Sequence, residues 1–192
     1  QYIQFHPTAL YAGSKNPFFL ISEAIRGFGA YVVNKDQKRF LFKYDSRGEL
    51  ATRDIVSHAI SSEMLHTNKK HVYLDCRHLD PVEFYKEFPV IAKQCNLAGI
   101  KPEKDLIPIV PAAHYQCGGI KVDRNGLTAI QNLYAIGECA RTGLHGKNRL
   151  ASNSLLEALV FAHQASEQID KTIQNFAFSS KIPRPKFSET DT

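Results

Sequence analysis

The sequence has no CxxC pair, no block of like charge longer than a pair, and no apolar run near the ~18 residues of a membrane span. Each absence closes a class of function. Cys76, Cys95, Cys117 and Cys139 stand roughly twenty residues apart, so neither a zinc site nor a redox pair is encoded and no metal is expected. Reduced structural thiols in a cytoplasmic protein are the expectation. The 24 Lys and Arg exceed the 19 Asp and Glu, giving a formal net charge of +5, but they are scattered. Scattered cations make no stripe for a nucleic acid, so none is expected as a partner. Without an apolar span or a basic leader, no membrane is expected either. An initiator Met is also missing from QYIQFHPTAL, and the tail KIPRPKFSETDT dissolves into Pro and polar residues, as expected of a piece of a longer protein.

What is present is an ordinary globular composition, 43% hydrophobic over 192 residues, enough for one large domain or two small ones. FLISEAIRGFG, residues 19–29, reads as a short amphipathic helix, after which AYVVN and RFLFKY flank KDQK as a hairpin. In LATRDIVSHAISSEMLH, Thr52 is a candidate N-cap and Ile55, Val56, Ala59, Ile60 and Met64 form one apolar stripe. HVYLDCRHL reads as a strand. DPVEFYKEFPVIAKQCNLAG reads as helix, started by Asp80 before Pro81 and broken or kinked at Pro89. LIPIVPAAHY holds Pro108 and Pro111, which predicts an extended connector rather than a central strand. From Cys117 onward, GGIKVD and NLYAIGE read as strands around the turn RNG, and Ser152 to about Gln174 as a helix striped with Leu155, Leu156, Leu159, Val160, Ile169 and Ile173.

Two arginines are expected at helix starts, Arg53 just after Thr52 and Arg149 three residues before Ser152. A helix N-terminus offers unpaired N–H groups and partial positive charge, and a guanidinium adds a two-pronged fork for carboxylate or phosphate. Two such mouths on one cavity would hold a dianion, although either Arg taken alone is better explained by a surface ion pair. His6 and His114 lie in poorly helical sequence beside aromatics and can donate hydrogen bonds to a carboxylate. Glu138 follows Gly137 at the end of a strand-like run, where an acid can accept bonds from nucleotide hydroxyls. A non-catalytic basic module is the rival from another class. RFLFKY is its only aromatic-basic strand, it lacks the glycine of an RNA-stacking motif, and a hairpin strand with Phe in the core explains it more simply.

Six ordered stretches, FHPTAL, SEAIRGFGAY, RGELATRDIVSHAI, IVPAAHYQCGGI, NLYAIGE and TGLHGKNRLASNSLLEALV, carry a further signal. Together they resemble the flavoprotein family of fumarate reductases, succinate dehydrogenases and L-aspartate oxidases, over residues 1 to about 172. The resemblance implies an α+β capping domain, residues 1–115, that closes substrate against the flavin. Residues 116–175 would then be a partial α/β, Rossmann-like segment of the FAD-binding domain, and 176–192 a linker towards a helical domain. It implies Arg53 as the proton-transferring residue, and His6, His114 and Arg149, with Ser22 and Glu23, as substrate-binding residues. Glu138, Ser154 and Leu155 would be cofactor-binding. The implied cofactor is FAD, which this chain is not expected to retain because it holds no GxGxxG. The implied reaction is oxidation of L-aspartate to iminoaspartate, reoxidised by oxygen or fumarate, in bacterial NAD synthesis with quinolinate synthase as a pathway partner. Fumarate reduction or succinate oxidation is the alternative. Phe28 stands where the family usually has Glu, and His145 and Lys147 match no clear role.

Overall fold

The computed structural model describes residues 2–12 and 18–175. They fall into two compact units, one of Gln1–Gly119 with His145–Leu150, the other of Ile120–Leu144 with the described residues from Ala151 on. The expected linker, 176–192, lies outside the described residues.

In the first unit the chain runs through β1 (Tyr2–Leu10), α1 (Ala24–Gly27), β2 (Tyr31–Val33), α2 (Arg53–Thr67), β3 (Val72–Asp75), α3 (Pro81–Glu87), α4 (Pro89–Leu97) and β4 (Ile107–Cys117). The four strands form one antiparallel sheet in the order β1-β4-β3-β2. Helix α2 packs on it through Val56, Ala59 and Ile60, all fully buried, with Ile55 and Met64 at the margin as the stripe predicts. Ile21, Ile25, Leu74, Ile107 and Ile109 complete the core. Burying each of these large aliphatic side chains contributes about 1.5–3 kcal/mol. Thr52 takes the N-cap position of α2 but its side chain makes no cap bond, and Asn68 ends the helix in the left-handed region. Asp80 accepts from the Glu83 N–H at 2.9 Å, and the chain breaks at Phe88 immediately before Pro89, as expected.

Three expectations fail in this unit. The helix over 19–29 shrinks to four residues, because Leu10 N–H donates to Phe19 O and Ile21 N–H to Thr8 O, which ties residues 19–21 to the end of β1. RFLFKY is not a returning strand: Val33 and Arg39 share one bridge, then Leu41–Lys43 forms a 3-10 turn. A strand would send Phe40 and Leu41 to opposite faces, whereas both are buried.

The third is LIPIVPAAHY, which is a central strand despite its prolines. Pro108 sits opposite Tyr73 and gives its carbonyl to Tyr11 N–H, so its missing donor faces the β1 side where that strand is ending. Pro111 falls where β1 bulges: Val110 pairs with Ala9 and Ala112 with His6, leaving Pro7 and Thr8 against Pro111. A second irregularity lies nearby. Gln4 pairs with Tyr115 and Phe5 with Ala113, so His114 is the extra residue of β4.

The second unit holds β5 (Ile120–Lys121), β6 (Ala140–Arg141) and α5 (Asn153–Thr172), with β5 and β6 paired in parallel. NLYAIGE is not the expected buried strand. Leu127 and Tyr134 share one bridge, Leu133 and Ile136 are exposed, and Gly137–Cys139 is a 3-10 turn. Helix α5 runs close to the predicted span, from N-cap Ser152. All four cysteines are free.

Candidate active site

Gln4 and His6, two residues apart on β1, turn to the same buried face. Around them the first unit gathers four more of the expected residues, Arg53, Glu23, His114 and Arg149. Arg53, the first residue of α2, donates from Nη1 to Gln4 Oε1 at 3.4 Å and pairs through Nη2 with Glu23 at 2.9 Å. Gln4 Nε2 donates to the Arg149 carbonyl and to Asn148 Oδ1, each at 2.7 Å. Arg149 Nη2 lies 3.2 Å from His114 Nε2, and its guanidinium sits 4.4 Å above the Tyr115 ring. The His6 and His114 rings meet edge to face with centroids 5.2 Å apart. Arg53, His6 and Arg149 are each buried.

The bulges produce this convergence. As the extra residue of β4, His114 escapes the alternation of the ladder and reaches the His6 face. The β1 bulge folds Thr8 back so that its N–H donates to His6 Nδ1 at 3.2 Å, and Thr8 Oγ1 anchors to Ile21 O at 2.8 Å. A backbone N–H can only donate, so neutral His6 carries its proton on Nε2. Burial first, then the charges of His114 and Arg53, push the His6 pKa down to about 4, against the opposing pull of Glu23. His6 is therefore a neutral N–H donor near pH 7. Arginine also only donates, so His114 Nε2 accepts from Arg149.

Glu23 sits between two guanidinium groups, Arg53 at 2.9 Å and Arg26 at 3.6 Å. Burial works to raise its pKa, but the hydrogen bond and charge of Arg53, with Arg26, hold it below the ordinary carboxylate value. The cluster thus brings together two guanidinium forks and two imidazole rings with one carboxylate, a set suited to a dianion.

Ser22 stands apart. It is exposed and its Oγ accepts from Ala24 N–H at 3.3 Å, which serves the start of α1. Phe28, in place of the family's usual Glu, stacks edge-on against Phe88 at 5.2 Å. Arg149 belongs with the first unit rather than with α5, so the picture of it as part of that helix mouth is replaced by its place against His114 and Tyr115. Sequence reasoning missed Gln4, Arg26 and Tyr115. The period-two spacing of Gln4 to His6 was the available signal for the first, and nothing local marked the others. Lys147 and Asn148 line a cavity of about 290 Å3 with Gln4, Asp54, Ser57 and His58. His145 meets the Tyr115 ring at 5.6 Å.

The three expected cofactor residues all lie in the second unit. Glu138 is exposed on the Gly137–Cys139 turn, and Ser154 and the exposed Leu155 sit in the first turn of α5. Turn and helix pack together: a Cβ on Gly137, which has φ +68°, would lie 3.8 Å from Ala158 Cβ. Ser152 takes a left-handed conformation and gives α5 no side-chain cap, so the backbone N–H groups of this 20-residue helix are not blocked by a Ser152 cap.

The family described as FAD binding domain matches residues 1–155. The chain is 47% identical over 184 residues to the L-aspartate oxidase of Yersinia pestis, covering 95% of this chain and 34% of that protein. It is 51% identical over 172 residues to L-aspartate oxidase 1 of Ralstonia nicotianae, covering 88% and 32%. Among solved structures, the FrdA chain of a mutant quinol fumarate reductase from E. coli superposes with a TM-score of 0.83 at 36% identity, over 93% of this chain and 33% of that one. The chain thus spans about a third of the length of the curated relatives it matches.

Proposed function

The chain belongs to the FAD binding domain family, and on that premise we propose that it is the substrate-binding part of a flavoenzyme that oxidises L-aspartate to iminoaspartate. One observation carries the reading: the buried Arg53, Arg149 and His6 and the half-buried His114, from four distant stretches of sequence, are tied into one cluster through Gln4 and the two bulges. That donor set fits the two carboxylates of a four-carbon diacid. Similarity to the oxidases of Yersinia pestis and Ralstonia nicotianae selects L-aspartate among such acids.

FAD would be held in part by the second unit, where the first turn of α5 presents backbone N–H groups and Glu138 is exposed to accept bonds from hydroxyls. When bound, FAD supplies hydride acceptance, with oxygen or fumarate as the final acceptor. The protein's own part is orientation and charge. Arg149, the neutral His6 and His114 fix the carboxylates, while Glu23 holds Arg53 in a single pose. A guanidinium is a poor base, so Arg53 gives a proton in the direction of fumarate reduction and stabilises charge in the direction of aspartate oxidation, where the amine proton leaves to water. Residues 1–115 act as the capping domain and 116–175 as the return into the FAD-binding domain. The parent enzyme is cytoplasmic and hands its imine to quinolinate synthase or an equivalent condensing enzyme.

The likeness to FrdA favours one second reading, a fumarate reductase or succinate dehydrogenase flavoprotein. Anaerobic mixing of the full-length parent with L-aspartate or succinate separates the two. Bleaching of the flavin by L-aspartate is expected; bleaching by succinate alone selects the second reading, and bleaching by neither removes both.

A further inference from the structure

Arg53 enters α2 from a short stretch, residues 48–52, whose one buried hydrophobic side chain is the single methyl of Ala51. Gly48–Leu50 forms a 3-10 turn, Leu50 is largely exposed, and Thr52 contributes no cap bond. The turn is held by Glu49, whose side chain is buried. Its Oε1 accepts from Val32 N–H at 3.2 Å and from Arg39 Nε at 3.0 Å, and its Oε2 from Arg39 Nη2 at 2.6 Å. Arg39 is itself fixed against two rings, 4.0 Å from the Tyr31 centroid and 4.7 Å from that of Phe42. The Phe42 ring in turn covers Gly48, where a Cβ would come within 2.6 Å of it.

On the inner side of the same turn, Arg26 Nη1 donates to the Glu49 carbonyl and, at 3.4 Å, to that of Ala51. Arg26 is deeply buried and its Nε has no hydrogen-bond partner among the described residues, so its position depends on these carbonyls and on Glu23. Burial pushes the Arg26 pKa down, and the charges of Glu23 and Glu49 pull it back up. Glu23 then grips Arg53.

We propose that Glu49 is a positioning residue for Arg53: it clamps the turn before α2 between Arg39 outside and Arg26 inside, and so sets the Arg26, Glu23 and Arg53 side chains in the pose the reaction uses. This role rests on the dicarboxylate reading above and adds a residue that touches neither His6, His114 nor Arg149 in the cluster. Gln at this position has nearly the shape of Glu but only one acceptor oxygen, and its NH2 would meet Arg39 Nη2 donor to donor. The clamp opens without a cavity.

The test uses the full-length, FAD-loaded parent carrying Glu49→Gln, with Arg39→Lys as a milder second variant that keeps the Glu49 carboxylate. Because small misplacements of a reacting group cost rate steeply, kcat is expected to fall roughly ten- to a hundredfold in Glu49→Gln, with KM for the dicarboxylate within about twofold and FAD content unchanged. Arg39→Lys should fall between it and wild type. Crystals of the Glu49→Gln variant should show the Arg53 guanidinium withdrawn from Glu23, beyond hydrogen-bonding distance. Unchanged kcat, an Arg53 to Glu23 ion pair still in place, or a parallel fall in kcat, FAD content and thermal midpoint would each overturn the proposal. If the wild-type parent turns over no dicarboxylate, the functional reading fails, and the crystal structure alone still decides whether Glu49 places Arg53.

Discussion

At the scale of single residues, charge and proton location govern what the cluster can do. Arg53 is held by Glu23 and Gln4 and lies in the unit that does not contain Glu138, Ser154 or Leu155. In the parent enzyme Arg53→Leu is therefore expected to lower kcat at least about a hundredfold while sparing FAD content, as read from flavin absorbance and turnover. Loss of flavin together with activity would count against the role. His6 makes a second, sharper statement. Its folded pKa is about 4 against 6.5 unfolded, so between those values the unfolded chain binds more protons than the fold. The stability from keeping His6 neutral is fully present above pH 6.5 and drains away as pH falls through about 4, a total of about 3 kcal/mol. Urea midpoints measured at pH 7 and pH 4.5 should diverge for the wild-type chain and converge for His6→Gln. An equal slope in both would show that His6 is not the titrating group.

At the scale of elements, α2 carries the first unit because its buried side faces both β1 and β4. Ile60→Ala is expected to cost about 2–5 kcal/mol, seen as a lowered denaturation midpoint, since a fully buried aliphatic is removed against a sheet that cannot collapse onto the gap. A midpoint shift equivalent to under about 1 kcal/mol would mean that the helix packs loosely. Helices α2, α3, α4 and α5 were legible in the sequence because their signals are local: a stripe at three and four residues, Asp80 before Pro81, Pro89 at a break. The sheet was not. Whether Pro108 bars a strand depends on which neighbour its nitrogen faces, and only the pairing with Tyr11 and Tyr73 reveals that. RFLFKY failed for a related reason, since the burial of both Phe40 and Leu41 is decided by distant core partners. The site shows the same division. Its chemical types were readable residue by residue, but Gln4 and Tyr115 matter through contacts with residues far away in sequence, and Arg26 joins its near neighbour Glu23 to the distant Glu49 and Ala51 carbonyls.

At the scale of the whole molecule, the two units divide the labour by residue type. The first holds the buried cations and imidazoles, the second the exposed helix start and acid. The chain has no GxGxxG to grip a pyrophosphate, so the 192 residues expressed alone are expected to purify colourless, with no flavin absorbance band. A yellow preparation would show that the second unit suffices for binding. The first unit, which holds a hydrophobic core of its own, should nonetheless give cooperative unfolding. The paired bulges carry one further consequence. The extra residue in β4 is offset within a few positions by the extra residue in β1, so that Tyr2 opposite Cys117 and Leu10 opposite Ile109 obey one and the same count. Only the short window holding Phe5 and His6 is out of step. The sheet on either side is blind to what happens there, so that window can vary in sequence, and a matched pair of deletions could erase it, while the surrounding ladder keeps its alignment.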